Sequence, residues 1–543
     1  MGAAQAQISP DAGSILRDQQ KPVLEVPTRT SPEIRLDEPA RPALKPSAAK
    51  LMLKGFRITG ISVFAELELL AQVREYVGKE VTFTDLDQAA TRISRFYRER
   101  GYMVARAYLP AQDIKDGVVK IAVIEGRFGK VNLDNKSRVR DSVVRRHLDG
   151  FPGVVVTEPG IERKMLLQSD LAGVADARAT LRPGANVGES DMTVELAGAP
   201  LATGSIEYDN QGNRFTGANR LTGKLNMLSP LGLGDMLNAQ LTKGFNGLAY
   251  GRLAYQLPVG GDGFKLGGAY SRSTYELGKS FSTLQATGEA DTYTLNVSYP
   301  FIRTRHFNLY AQAAHEWRDF QDRVGALATV TDKSSRAVTL SLTGDARDAL
   351  LGGGITVFSV AYASGRLDLE TPAVRAVDDV TARTHGSFDK WNFNLLRLQS
   401  LGERLSAYVS LSAQKGGKNL DSSEKFVLGG ANGVRAYPSG EASGDSGYIA
   451  TAELRYTFSL AAVPGLLQPF VFVDSGAVTI NENPFAAGNN RRHLSAAGIG
   501  LSWVKAADFQ VKFTLATRLN DKPSLSSDTD RHTRGWVQAI KFF

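Results

Sequence analysis

The sequence predicts a membrane β-barrel of about 16 antiparallel strands, preceded by two α+β domains and a short N-terminal helix. Three observations carry that prediction. From Pro200 to Phe543 apolar residues recur with period two. Tyr293, Leu295, Val297 and Tyr299 alternate with Thr294, Asn296 and Ser298, and the runs 405–412 and 509–516 repeat the pattern. The polar partners are mostly Ser, Thr, Asn and Gln, which suits a wet interior better than the charged outer face of a soluble sandwich. Secondly, no stretch is apolar for the about 20 residues a membrane helix needs. The nearest, 460–473, is interrupted by Pro464, Gly465, Gln468 and Pro469. Thirdly, residues 51–199 carry helical spacing and strands in a β-α-α-β-β order that occurs twice.

In chain order, the first feature is Ala4-Gln5-Ala6, which has the form of an A-x-A cleavage site and points to an exported chain already trimmed. Residues 1–20 hold one helical candidate, starting at Pro10 and Asp11, with Ile15 and Leu16 on it. A helix this short needs a partner to be ordered. Residues 21–50 contain six of the 21 prolines and read as an extended, semi-rigid linker.

Residues 51–126 form the first α+β domain. Phe56 and Ile58 alternate as in a strand. Leu67, Leu70 and Val73 share a helical face, and Thr84-x-x-Asp87 is a capping-box start for a helix carrying Leu86, Ala90, Ile93 and Tyr97. Gly101 stops that helix, and strands at 103–109 and 118–125 follow. Residues 127–199 repeat the plan, with strands at 129–133, 177–182 and 192–196 and helices at 140–148 and 158–171. Lys130, Lys136, Arg138, Arg140, Arg145 and Arg146 crowd this unit. Without interleaved aromatics they read as a solvated face rather than a nucleic-acid patch.

The 344 residues from Pro200 onward allow about 16 strands at roughly 20 residues each, turns included. The terminal Phe543 suits such a barrel, whereas Lys541 stands where an apolar residue is more usual. Within this region lies a Gly-rich loop, 428–447, containing Val434-Arg435-Ala436-Tyr437. Some thirty-five residues on comes Phe472-Val473-Asp474-Ser475-Gly476. Arg435 and Asp474 read as a loop guanidinium meeting a wall carboxylate, a pair that is strong and directional when shielded from water.

The composition narrows the chemistry. There is no cysteine, hence no disulfide, thiol nucleophile or thiolate metal site, and neither a Walker phosphate loop nor HExxH occurs. A net charge of +8 over 543 residues is a modest excess. Ala313-Ala314-His315 and Gly444-Asp445-Ser446-Gly447 resemble fragments of a serine protease. Tyr448 breaks the second fragment, however, and His315 has the parity of an oily strand face. No catalytic residue, metal or cofactor is assigned, and the chain reads as a non-enzyme.

These residues together resemble the TpsB transporters of two-partner secretion, which include haemolysin, haemagglutinin and contact-dependent toxin exporters and are relatives of BamA. Gly101-Tyr102, Pro110-x-Gln112, Gly117 and Glu125-Gly126 are similar to the first polypeptide-transport-associated (POTRA) domain of that family. Tyr208-Asp209-Asn210-x-Gly212 and the turn 229–235 resemble the start of its barrel. Residues 434–437 resemble its VRGY loop motif, and Phe472-x-Asp474-x-Gly476 the wall partner. The resemblance implies a plug helix at 1–20, a linker at 21–50, POTRA domains at 51–126 and 127–199, and a barrel at 200–543. It implies an outer-membrane pore of a Gram-negative bacterium, POTRA domains in the periplasm, exporting one large unfolded TpsA-type exoprotein without nucleotide hydrolysis.

In that reading Arg435 and Asp474 latch the loop to the wall, Val434, Tyr437, Phe472 and Gly476 support the latch, and cargo binds somewhere within 51–199. The chain contacts outer-membrane lipid, binds no nucleic acid and is monomeric. Ala436 stands where the family has glycine. If the position needs φ > 0, alanine costs about 1–2 kcal/mol. Two alternatives share the barrel: a BamA-like assembly factor, which has more POTRA units, and a diffusion porin, which has none.

Overall fold

The structure, a computed structural model, describes residues 9–20, 26, 32–37, 50–114, 116–520, 522–527 and 529–543. The Ala4-Gln5-Ala6 site and most of the 21–50 linker lie outside the described residues. No described helix is long and apolar enough to cross a membrane.

From Ala202–Asp209 to Thr533–Phe542 the strands close into an antiparallel barrel. It has 16 staves, the twelfth being broken at Thr457 into Ser446–Tyr456 and Phe458–Leu460, both paired with Val463–Thr479. The period-two pattern sets the faces. Leu241, Leu253, Leu295, Leu340 and Val473 stand exposed on the outside, as lipid requires, while Thr222, Thr242, Ser271 and Thr292 turn inward and are buried. The longest strand, Thr329–Asp348, has 20 residues, about twice what the bilayer needs. The closing pair is short, running only from Ser205↔Phe542 to Asp209↔Gln538. Lys541 points outward and bonds Asp508 in the neighbouring turn, so its charge reaches the interface while its stem covers apolar surface.

One end of the barrel carries both α+β units. In the first, helix α2 (Glu66–Val73) buries Leu69 and Val73, while Leu67 is 80% exposed. The expected stripe through Leu67 was out of phase because the helix is too short for the pattern to fix its rotation. Helix α3 (Phe83–Glu99) starts two residues earlier than expected, capped by Thr82 and Asp85 rather than Thr84 and Asp87. It buries Leu86, Ala90, Ile93 and Tyr97. Only Arg106–Tyr108 of the expected strand 103–109 pairs in the sheet.

Buried Glu125 holds the loop after the first strand of this unit. It accepts the backbone N–H groups of Ser62 (2.7 Å) and Val63 (2.8 Å), the Ser62 hydroxyl, and the Tyr97 hydroxyl at 2.9 Å. Burial works to raise its carboxyl pKa, but these donors hold it below the ordinary glutamate value. Its stabilising contribution is therefore complete above the ordinary value and lost as pH falls through the depressed one. Glu125→Ala is expected to destabilise this unit by about 1–3 kcal/mol, read as a lowered denaturant midpoint of its local unfolding.

In the second unit, α4 (Asp141–Leu148) and α5 (Glu158–Ser169) pack on strands Arg127–Asn135, Val174–Pro183 and Glu189–Gly198. The basic residues 130–146 named above are exposed. A fourth strand, Glu33–Leu36, joins this sheet in parallel with 178–181, so this part of the Pro-rich stretch is a paired edge strand rather than a plain linker. Glu33 and Asp37 face Arg178 and Arg182 across that pairing, which the alternation of charges alone did not reveal.

This unit is clamped to the barrel turns. Arg303 forks onto Asp170 (2.8 and 2.7 Å), and Arg305 bonds Glu162. The Arg140 N–H reaches the Gly232 carbonyl at 2.9 Å. The turn 229–235 is shaped for this by Asp235, fully buried and accepting from the Leu233 N–H (3.0 Å) and the Tyr255 hydroxyl (2.9 Å). At the opposite end of the barrel, Pro372–Val380 forms helix α6, which the period-two reading missed.

Candidate functional site

The loop 417–445 folds into the lumen. Its tip closes on itself where Gly433 lies 2.0 Å, at an ideal Cβ, from the Leu428 carbonyl; no side chain fits there. The Val434 N–H bonds the same carbonyl at 2.7 Å. This turn delivers Arg435 to the wall strand Val463–Thr479, where Phe470, Phe472, Asp474 and Gly476 share the inner face.

Arg435 is 4% exposed and Asp474 fully buried. The guanidinium donates to both Asp474 oxygens, Nε to Oδ2 at 2.9 Å and Nη2 to Oδ1 at 2.7 Å, and the Arg435 N–H adds a third bond at 3.1 Å. Its remaining arm, Nη1, donates to Glu453 at 2.6 Å. The plane lies 3.4 Å above the Phe472 ring centre. Charge, planarity and stacking are thus all used, and lysine could not replace them. Gly476 leaves room for Leu428 of the loop, whose Cδ2 would lie 3.0 Å from an added Cβ. Val434 and Tyr437 are fully buried. The Tyr437 hydroxyl donates toward Asn520 Oδ1 and the Lys522 carbonyl, under the cation of Arg518 at 4.7 Å. Ala436 does not occupy the left-handed region and is fully buried among Leu428, Phe472 and Leu494, so no glycine is needed there and the conditional strain does not arise.

Several partners were not found in the sequence. Glu453 on the preceding stave binds both Arg435 and Arg455, the latter at 2.8 Å from Nε. Its signal was a carboxylate at inward parity two residues from Thr451, which itself donates to Asp474 at 2.9 Å. Trp536 on the last stave donates its indole N–H to the Arg435 carbonyl at 2.7 Å. Glu441, fully buried, accepts from the Ser526 N–H at 2.8 Å, the Ser524 hydroxyl at 2.9 Å and Arg492 at 2.6 Å. On the opposite wall Glu424 of the same loop meets Arg318 (2.5 Å) and Lys390 (2.8 Å). The loop is therefore tied across the lumen at both ends. His315 points outward against Trp317, far from any triad geometry with Ser446, which bonds Glu482. Among the described residues no group of acidic or histidine side chains is placed to hold a metal.

The N-terminal helix, α1 (Ala12–Gln19), is also in the lumen. Asp11 caps it together with Ser14. Ala12, Ile15 and Leu16 are buried against Phe215, Tyr250, Tyr275 and Phe320. Its polar face is bonded as closely. The Asp11 carboxylate takes Lys333 at 3.1 Å and the Ser422 hydroxyl at 2.5 Å, the Ala12 N–H donates to Asp322 at 2.8 Å, and Arg17 donates to the Ser422 carbonyl at 2.8 Å. Gly13 would have an added Cβ 2.7 Å from the Ser422 hydroxyl. Lys333 is shared, because it also binds Asp421 of the loop at 2.8 Å. Lys333→Met removes this shared cation, and the open fraction in single-channel records is expected to rise about tenfold or more. An unchanged open fraction would mean that the apolar face alone holds the helix.

A model of the family described as haemolysin secretion/activation protein ShlB/FhaC/HecB matches residues 188–503, and one of the ShlB-type POTRA domain matches residues 51–126. The heme/hemopexin transporter protein HuxB of Haemophilus influenzae is 29% identical over 484 residues, 88% of this chain and 84% of that one. The outer membrane transporter CdiB of Dickeya dadantii is 24% identical, over 78% of this chain and 75% of that one. The solved structure of CdiB from Escherichia coli superposes with a TM-score of 0.74 at 20% identity, covering 98% of this chain and 96% of that one, and supports the fold.

Proposed function

The chain belongs to the haemolysin secretion/activation family of ShlB, FhaC and HecB, the TpsB transporters of two-partner secretion, and from that footing we propose how its lumen exports a partner protein. It is an outer-membrane transporter with POTRA domains in the periplasm. The observation that carries the reading is a polar 16-stave lumen closed by two separate chain segments, helix α1 and the loop 417–445, above the α+β units.

The division of labour follows the chain. Residues 1–20 plug the pore, 21–50 tether the plug, 51–126 and 127–199 receive the cargo, and 200–543 conduct it. The cargo is a large TpsA-type exoprotein arriving unfolded, docked by strand addition to a free sheet edge, because main-chain hydrogen bonds need no sequence match. Arg435 and Asp474 hold the loop in register, with Val434, Tyr437, Phe472 and Gly476 shaping the contact. Folding of the cargo outside supplies direction, and catalysis forms no part of the process. The barrel works as a monomer surrounded by outer-membrane lipid. The test is secretion of the partner from a strain lacking this chain, restored by the chain in trans. Unimpaired secretion in its absence, or a general loss of other barrels on its deletion, would favour the assembly-factor alternative.

A further inference from the structure

At the mouth opposite the POTRA domains, three inward-facing arginines sit on consecutive staves: Arg492, Arg518 and Arg534. Arg492 is ion-paired with Glu441 and leaves only its Nε buried without a partner. The other two leave two nitrogens each. The Arg518 side chain is 1% exposed and spends one nitrogen, Nη1, on Asp530 at 2.6 Å, while its Nε and Nη2 are buried without a hydrogen-bond partner. Arg534 has Nε and Nη2 in the same condition, its plane lying over Trp536 at 5.6 Å. Arg518 and Arg531 add like charge beside Arg534, against Glu441. Glu441 is already engaged by Arg492, Ser524, Leu525 and Ser526, and Asp530 by Arg518 and the Ser524 N–H.

Four buried guanidinium nitrogens on neighbouring inward positions of adjacent staves, with the described carboxylates engaged elsewhere, are costly unless an acceptor joins them. We propose that Arg518 and Arg534 form a binding site for a small soluble oxyanion of the phosphate class. Two guanidinium edges present fork-shaped donor pairs that match tetrahedral oxygens. Both side chains stand on the lumen side of the wall, the face turned away from lipid, so the ligand proposed is a free anion rather than a lipid headgroup. Bound there, the anion neutralises the repulsion between staves and braces the strands that flank Tyr437 and Trp536.

The test is equilibrium binding of labelled inorganic phosphate to the full-length chain folded in detergent, at fixed ionic strength, with sulfate and chloride as competitors. Saturable binding of one phosphate per chain is expected, displaced by sulfate and not by chloride. In Arg534→Gln the half-saturating concentration should rise about tenfold or more. That variant removes an unpartnered charge, so its barrel should still form, as heat-modifiable migration would verify; Arg518→Gln is the second variant. Absence of saturable binding in the unmodified chain, or binding unchanged in both variants, overturns the proposal.

Discussion

Arg435→Ala is expected to abolish export of the partner while the barrel still folds and reaches the membrane. The substitution strands buried Asp474, which of its side-chain donors keeps only the Thr451 hydroxyl, and leaves Glu453 with Arg455 alone. Breaking a buried pair from one side costs about 3–5 kcal/mol. The loop then detaches from its wall by a factor of about 100 or more. Trp536 loses the fixed carbonyl it donates to, and the loop tip loses its place over Phe472. The strands keep their own ladders, so heat-modifiable migration should be retained. Arg435→Lys should be nearly as damaging, because an ammonium cannot fork onto Asp474, reach Glu453 and stack on Phe472 together. Secreted partner in the culture medium is the measurement. Loss of the folded barrel itself in Arg435→Ala would show that the pair serves assembly rather than transport.

Deleting residues 1–20 should have the opposite sign on conductance. The intact chain is expected to be quiet in a planar bilayer, with brief openings as α1 leaves. The deletion variant should give a large, steady current, because a barrel of about 16 strands encloses water unless something fills it. The loop remains in the lumen of that variant, so its current should still be below that of an empty barrel of the same size. Combining the deletion with Arg435→Ala should raise it further. If the deletion variant is as quiet as the intact chain, the loop alone seals the pore and α1 has another purpose.

Much of this was legible in the sequence, and the division has physical causes. The barrel announced itself because a lipid-facing wall forces strict alternation, as at Tyr293–Tyr299. Arg435 and Asp474 stood out because a lone charge in a glycine loop and another at inward parity on an oily strand both need explaining. Glu453, Trp536 and Glu441 were invisible, because their partners depend on which staves are adjacent and on how far the loop reaches. The short strand Glu33–Leu36 was hidden by prolines on either side of it. Leu67 and Thr84 misled because short helices leave phase and start free to slip by a residue or two.

The sharing of Lys333 between helix and loop makes the two closures unequal in kind. When α1 departs, Lys333 still has Asp421, and Asp322 still has the Tyr275 hydroxyl. The vacated wall therefore keeps an ion pair at Lys333 and a hydroxyl donor at Asp322. Pulling the loop from Asp474 leaves raw charge on both sides. Withdrawal of the helix is thus expected to be the more readily reversed of the two.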